Sequence, residues 1–400
     1  YLSEMMNYPG VIFKDEEVIS KLKLAQKYDK PVDGHAPGLK GEELKAYIES
    51  GITTDHECFT IEEALEKIKY GMMIQIREGS AAKNYKSLAP LIETHPEMVM
   101  LCSDDRHPDD LVEGHMNVLI KNALADSYNL FNILRACTII PKQHYSLDNG
   151  LLQEGDAADL VIIDNLSDFN ILSTYIDGEK VAEKGTCLIP VFETEPINNF
   201  NASKINEADI QIKDTGKNVR VIEVLDGELI TGSGEGFPKS RNGNLFSDTD
   251  QDILKIVVLN RYKPSKPQIA FIRNMGIKNG AMASTVAHDS HNIIAVGVND
   301  SDLVMAINSL IDVNGGICFH ADNKLDILPL EIGGIMSGKP APEVAKLYQA
   351  IHSKAIEAGC ELRAPYMTLS FMSLLVIPEL KLSDQGLFDG SKFEFTDLHL

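Results

Sequence analysis

The sequence predicts an α/β fold: a (β/α)8 barrel whose N-terminal strands are missing, then a small β unit and a C-terminal α+β domain. Three observations carry this expectation. From residue 1 to residue 140, short apolar stretches that end in polar residues alternate with amphipathic helical segments, as successive βα units on a parallel sheet do. Near Asn149 the alternation gives way to short strands and turns. From residue 207 onward strands and helices mix without a fixed order. The expected boundaries are 1–148 for the partial barrel, 149–190 for the small β unit and 191–400 for the C-terminal domain, with 190–206 as a linker.

Taken in order, the apolar stretches end at Asp33-Gly34-His35, Thr54-Asp55-His56-Glu57, Arg77-Glu78-Gly79-Ser80 and Cys102-Ser103-Asp104-Asp105. Helices are expected at 15–30, 41–50, 60–70 and 83–94, and after the last strand at 111–126 and 130–139. The opening Tyr1-Leu2-Ser3-Glu4-Met5-Met6-Asn7 reads as the end of another strand. That makes five units where a closed barrel needs eight, so roughly three are expected to be absent from the N-terminal side. In the small β unit, 171–176 and 179–181 flank an Asp177-Gly178 hairpin turn. In the C-terminal region strands are expected at 219–224, 253–260, 268–273, 281–286 and 293–298, and helices at 301–312, 343–358 and 366–376.

Composition narrows the function. Among 400 residues the formal net charge is -22. Such a chain lacks the clustered lysine and arginine that phosphate contacts need, which argues against nucleic acid and an anionic membrane surface. The six cysteines are scattered without a CxxC pair and read as reduced thiols of a cytoplasmic protein. No apolar run has the length of a membrane span.

The strand ends hold the chemistry. Glu4, His35, His56 and Asp104 fall where a barrel gathers its active-site groups, at the C-terminal face. Two imidazoles and two carboxylates suit a divalent metal, and a carboxylate beside that metal can take a proton from water. Any one of them, alone, could equally cap a loop; the recurrence from unit to unit favours a shared site.

The motifs are also similar to a known family. Asp33-Gly34-His35-Ala36-Pro37-Gly38-Leu39, Thr54-Asp55-His56-Glu57 and Cys102-Ser103-Asp104-Asp105-Arg106-His107-Pro108 resemble strand-end motifs of bacterial adenine deaminases, in the amidohydrolase superfamily of metal-dependent hydrolases. Ser3-Glu4-Met5-Met6-Asn7 looks like their metal-bridging glutamate motif, and Gly155-Asp156-Ala157-Ala158-Asp159-Leu160-Val161 like the superfamily's return strand. Thr285-Val286-Ala287-His288-Asp289-Ser290-His291-Asn292 resembles a signature of the family's C-terminal domain.

The resemblance implies hydrolytic deamination of adenine to hypoxanthine and ammonia, a purine-salvage step, with two divalent metal ions. Manganese is expected, with iron or zinc as alternatives. Glu4 would bridge the metals, His35 and His56 would bind one, and Asp104 would bind the other and shuttle the proton. Arg77, Glu78, Ser80, Asp105 and His107 are the expected purine contacts, although Arg77 and Glu78 read equally well as an ion pair at the barrel rim. His288, Asp289 and His291 either contribute from the C-terminal domain or organise its core by hydrogen bonding. The 400 residues contain no His-x-His pair, so the family's first two histidine ligands and its catalytic acid are expected to be missing and turnover impaired. A homo-oligomer is expected. Two other readings stay open: another amidohydrolase that opens a cyclic amide, and a non-catalytic remnant.

Overall fold

The computed structural model describes every residue except 81, 82, 191, 193 and 194. The chain divides into two compact units, one of residues 1–106 and 113–192, the other of 107–112 and 193–400.

In the first unit five parallel strands follow chain order: β1 (Leu2–Met5), β2 (Val32–Gly34), β3 (Thr54–Asp55), β4 (Met73–Arg77) and β5 (Val99–Cys102). The Thr53 amide donates to the Val32 carbonyl at 2.9 Å, joining β2 to β3. Between the strands run α1 (Tyr8–Ile12), α2 (Glu16–Lys27), α3 (Gly41–Glu49), α4 (Ile61–Lys69), α5 (Tyr85–Leu88) and α6 (Leu91–Thr94). Their starts were written locally. Asp15 accepts from the amides of Glu17 and Val18 to cap α2, and Thr60 accepts from Glu63 to cap α4. The helix expected over 83–94 is two single turns, because Pro90 has no amide with which to continue the ladder. The expected 111–126 helix likewise breaks at Gly114 (φ 158°) into α7 (Pro108–Glu113), which apart from Glu113 belongs to the second unit, and α8 (Met116–Ala125). Helices α9 (Leu130–Cys137) and α10 (Ile139–Tyr145) follow.

Two apolar clusters hold this unit. One joins Met5, Val18, Leu22, Val32, Leu44 and Tyr47. The other joins Ile74, Ile76, Val99 and Leu101 to Leu88, Leu119 and Ile133. An antiparallel sheet of β6 (Leu160–Ile163), β7 (Ile171–Ile176), β8 (Glu179–Glu183) and β9 (Thr186–Cys187) completes it. Asp177 and Gly178 join β7 to β8 with φ of 50° and 80°, the left-handed pair that a tight hairpin turn demands. Part of the expected linker, residues 191, 193 and 194, lies outside the described residues.

The second unit holds a short 3-10 turn (Glu207–Ile210), β10 (Ile212–Lys213), β11 (Val219–Val224), β12 (Thr231–Gly236), β13 (Lys239–Arg241), β14 (Asn244–Phe246), β15 (Ile253–Leu259), β16 (Gln268–Arg273), β17 (Ala281–Ser284) and β18 (Ile293–Gly297). After these come α11 (Asp300–Asp312), β19 (Gly316–Ala321), β20 (Lys324–Pro329), α12 (Ala341–Glu357), α13 (Pro365–Phe371), β21 (Leu380–Ser383), β22 (Gly386–Asp389) and β23 (Glu394–Phe395). An eight-stranded sheet in the order β12-β11-β16-β15-β18-β17-β19-β20 is its centre. Every residue of β15 is buried. Val257 and Leu259 pack under Leu303, Ile307 and Leu310 of α11, and Ile253 meets Phe271 and Val221 in a second cluster. Helix α13 ends five residues before its expected end, and β12 to β14 and β19 to β23 lie outside the strands expected from the sequence. Among the described residues, no helix is long and apolar enough to cross a membrane.

Candidate metal centre

The first unit gathers Glu4, His35, His56 and Asp104 at the carboxyl ends of its strands. Several buried contacts set their positions. The Tyr47 hydroxyl donates to the Met5 carbonyl at 2.6 Å and accepts from the His35 amide at 3.0 Å, tying the end of β1 to the end of β2. Gly34 lies so close to β3 that a Cβ on it would stand 2.3 Å from the Thr54 carbonyl oxygen; only glycine allows this approach. Asn84 donates to the carbonyls of His56 and Cys58 and accepts from the Arg77 amide, bracing the ends of β3 and β4. Glu4 (φ 54°) and Asp104 (φ 55°) both take left-handed backbone, which costs a non-glycine residue about 1 kcal/mol.

The polar atoms converge. His56 Nε2 lies 3.0 Å from Glu4 Oε2 and 3.8 Å from Asp104 Oδ2, and His35 Nδ1 lies 3.7 Å from Glu4 Oε1. Ligand atoms of Glu4, His35 and His56 all lie within 4.8 Å of one another, as do those of His56, Glu57 and Asp104. Burial disfavours charge on Glu4, yet the two imidazoles beside it hold its carboxyl well below the usual range. Burial likewise opposes the charge of His56, and Glu4 with Glu57 pushes it up to about 9. Asp104 is held below the ordinary carboxylate range, against burial, by the charges of Arg77 and His56.

These residues fit a divalent cation. His35 is 2% exposed and neither of its ring nitrogens makes a hydrogen bond. A buried imidazole with both nitrogens unsatisfied, facing carboxylates, has the donor set and the electrostatics that a metal would complete.

Glu57 was absent from the sequence-based site, yet it stands at its centre. It is 2% exposed, with Oε1 3.5 Å from both His35 Nδ1 and His56 Nε2 and 2.7 Å from the Arg77 guanidinium. Its only signal was adjacency to His56. Arg77, 3% exposed, turns its guanidinium onto Glu57 and Asp104, so its charge is spent on carboxylates of the site. Glu78 is partly buried, which raises its carboxyl pKa, and Lys83 stands 4.0 Å from it. The Ser80 amide donates to the Asp105 carbonyl at 2.9 Å.

His107 belongs to the second unit, where its Nδ1 pairs with the buried Tyr348 hydroxyl and burial lowers its pKa to about 4. In the same unit His288 stacks on Phe371 at 5.3 Å, with Asp289 4.0 Å from its Nδ1 and the His291 ring 5.7 Å away.

Residues 1–181 match the model of the amidohydrolase family, and residues 228–394 match that of the adenine deaminase C-terminal domain. Adenine deaminase of Methanosarcina acetivorans is 52% identical over 410 residues, covering 100% of this chain and 74% of the relative. The chain belongs to the adenine deaminase family. Adenine deaminase of Salinibacter ruber is 48% identical, over 99% of the chain and 73% of that protein. The Borreliella burgdorferi relative is 45% identical, over 99% and 74%. Family membership brings with it an amidohydrolase-type α/β unit and a distinct C-terminal domain, as the two matched regions divide the chain.

Proposed function

We propose that this protein catalyses the hydrolytic deamination of adenine to hypoxanthine and ammonia, at a divalent-metal site formed by Glu4, His35, His56 and Asp104. The observation that carries the reading is the convergence of Glu4, His35 and Asp104 on His56, with His35 buried and unsatisfied, in a chain of the adenine deaminase family. The five parallel strands are, in this reading, successive strands of a (β/α)8 barrel, with the site at its carboxyl face.

When bound, a divalent metal supplies Lewis acidity that brings water to hydroxide near neutral pH. Glu4, with one carboxylate oxygen beside His35 and the other beside His56, would hold the metal together with them. Asp104 accepts the proton of the attacking water and returns it to the departing amine, so that water and adenine leave as hypoxanthine and ammonia. Arg77 keeps Asp104 ionised and therefore able to act as the base. Glu57 keeps Arg77 in place and adds negative charge beside both imidazoles. Glu78, Ser80 and Asp105, beyond the ends of β4 and β5, are the first unit's candidates for purine contact. His107, His288, Asp289 and His291 are those of the second unit. Manganese, iron and zinc all accept this mixture of imidazole and carboxylate.

The test is ammonia release from adenine by the full-length protein loaded in turn with manganese, iron or zinc, with hydantoin and dihydroorotate as comparison substrates. Metal-dependent release from adenine alone is expected. Bound metal with no ammonia from adenine would overturn the reading.

A further inference from the structure

Behind the candidate ligands lies a second charged cluster. Lys67 on α4 is fully buried, as is Asp55, and Glu63 is 3% exposed. The Lys67 ammonium donates to three acceptors: Asp55 Oδ2 at 2.9 Å, Glu63 Oε1 at 2.9 Å and the Ala36 carbonyl at 2.8 Å. All three of its protons are thus used.

The two carboxylates hold backbone in turn. Asp55 Oδ1 accepts from the Ala36 amide at 2.8 Å, and Oδ2 accepts from the Glu57 amide at 3.0 Å and the Cys58 thiol at 3.3 Å. Glu63 accepts from the Gly38 amide at 2.8 Å and the Phe59 amide at 3.2 Å. Every one of these groups lies in one of two short segments, 36–38 directly after His35 or 57–59 directly after His56. Asp55, Cys58 and Glu63 also bring three ligand atoms within 4.8 Å of one another, a grouping that could hold a metal. Lys67 Nζ bonds two of the three, so a permanent, covalently tethered cation fills that grouping.

We propose that Lys67 is a positioning residue for the metal centre: through Asp55 and Glu63 it locks the two histidine-bearing loops into the separation that metal binding needs. The proposal rests on the reading of His35 and His56 as ligands. A loose lysine would let the loops after β2 and β3 shift independently. The imidazoles would then have to be gathered by the metal itself, at the expense of affinity. The candidate purine contacts Glu78, Ser80 and Asp105 are not among the residues that Lys67 holds, so KM for adenine is not expected to follow.

Full-length Lys67→Met, Glu63→Gln, Thr60→Ala and His56→Ala test this, with manganese affinity read by paramagnetic resonance alongside kcat, KM and Tm. Thr60→Ala removes the cap bond to the Glu63 amide but keeps the Lys67, Asp55 and Glu63 side chains, and so is expected to lower Tm with manganese affinity close to wild type. Lys67→Met is expected to weaken manganese binding by about 10- to 100-fold, the usual effect of losing a group that orients metal ligands. Its kcat should recover at high manganese, with KM changed less than about threefold. Manganese affinity within about twofold of Thr60→Ala would overturn the proposal, whatever the Tm. Should Lys67→Met fail to fold, Glu63→Gln decides. It keeps the Lys67–Asp55 pair, and a several-fold loss of affinity supports the proposal while unchanged affinity overturns it. His56→Ala separates the two levels: wild-type affinity there would remove the ligand reading itself and the proposal with it.

Discussion

The two units bury charge in opposite ways. In the first, buried charges are crowded at the ends of short strands and answer one another: Arg77 faces Glu57 and Asp104, and Lys67 faces Asp55 and Glu63. In the second, they are spread through apolar sheets as single pairs, such as Asp302 with His320, or as a lone lysine. Lys255, within β15, pairs with Asp300 at 2.5 Å, donates to the Ile210 carbonyl at 3.0 Å and lies over the Phe246 ring, and Lys381 donates to the Leu229 carbonyl at 2.7 Å. The first arrangement leaves both ring nitrogens of a buried histidine unsatisfied beside carboxylates and so has a use for a cation, whereas Lys255 and Lys381 each reach an oxygen of their own unit. Charge density at strand ends marks chemistry, whereas a solitary buried charge serves packing or registry.

The largest test of that contrast is His56→Ala. It should lower ammonia release by about a thousandfold, roughly 4 kcal/mol in the barrier, while Tm changes little. A variant that kept wild-type turnover would erase the distinction between the units. Phe271→Ala in the second unit should do the reverse. Phe271 is fully buried, and its truncation should lower stability by about 3–5 kcal/mol in denaturant unfolding. Manganese affinity should stay at the wild-type value; a parallel loss would show that the site depends on the second unit's core.

The smallest effect sharpens the account of isolated charge. Burial lowers the pKa of Lys381 to about 7. Below that pH the lysine carries its proton both folded and unfolded. Above it the folded form is neutral, whereas the unfolded chain still binds the proton up to about pH 10. Because the unfolded state then holds more protons, stability rises with pH across that window. Wild type should gain on Lys381→Met by about 1 kcal/mol per pH unit between about 7 and 10, measured by denaturant titration at each pH. A difference that stayed flat would mean the folded lysine keeps its charge.

Much of this could be read in advance where the signal is local. Helix α2 announces itself through Asp15 and its acidic first turn, and the β7–β8 hairpin through Asp177-Gly178. His35, His56 and Asp104 were legible because each stands at the polar end of a strand-like segment in a pattern that recurs from unit to unit. Lys67 was not. With Glu63 four residues earlier on an amphipathic helix, it looks like an ordinary solvated pair of the kind formed by Lys21 and Glu17, which is exposed. Nothing local distinguishes the two pairs; only the segments after β2 and β3, which pack over one of them, do so. Glu57 was illegible for a similar reason, since its direction depends on Arg77 arriving from the neighbouring strand.

The sequence alone determined the order of strands and helices in the first unit, the residues at the strand ends and the family, because all of these are written in runs of a dozen residues or fewer. Only the tertiary structure decided which charges are buried and what they face. A side chain's partners come from segments twenty or more positions away, as Ala36 and Lys67 do, and the free energy of a buried charge is set by those partners rather than by its neighbours in sequence.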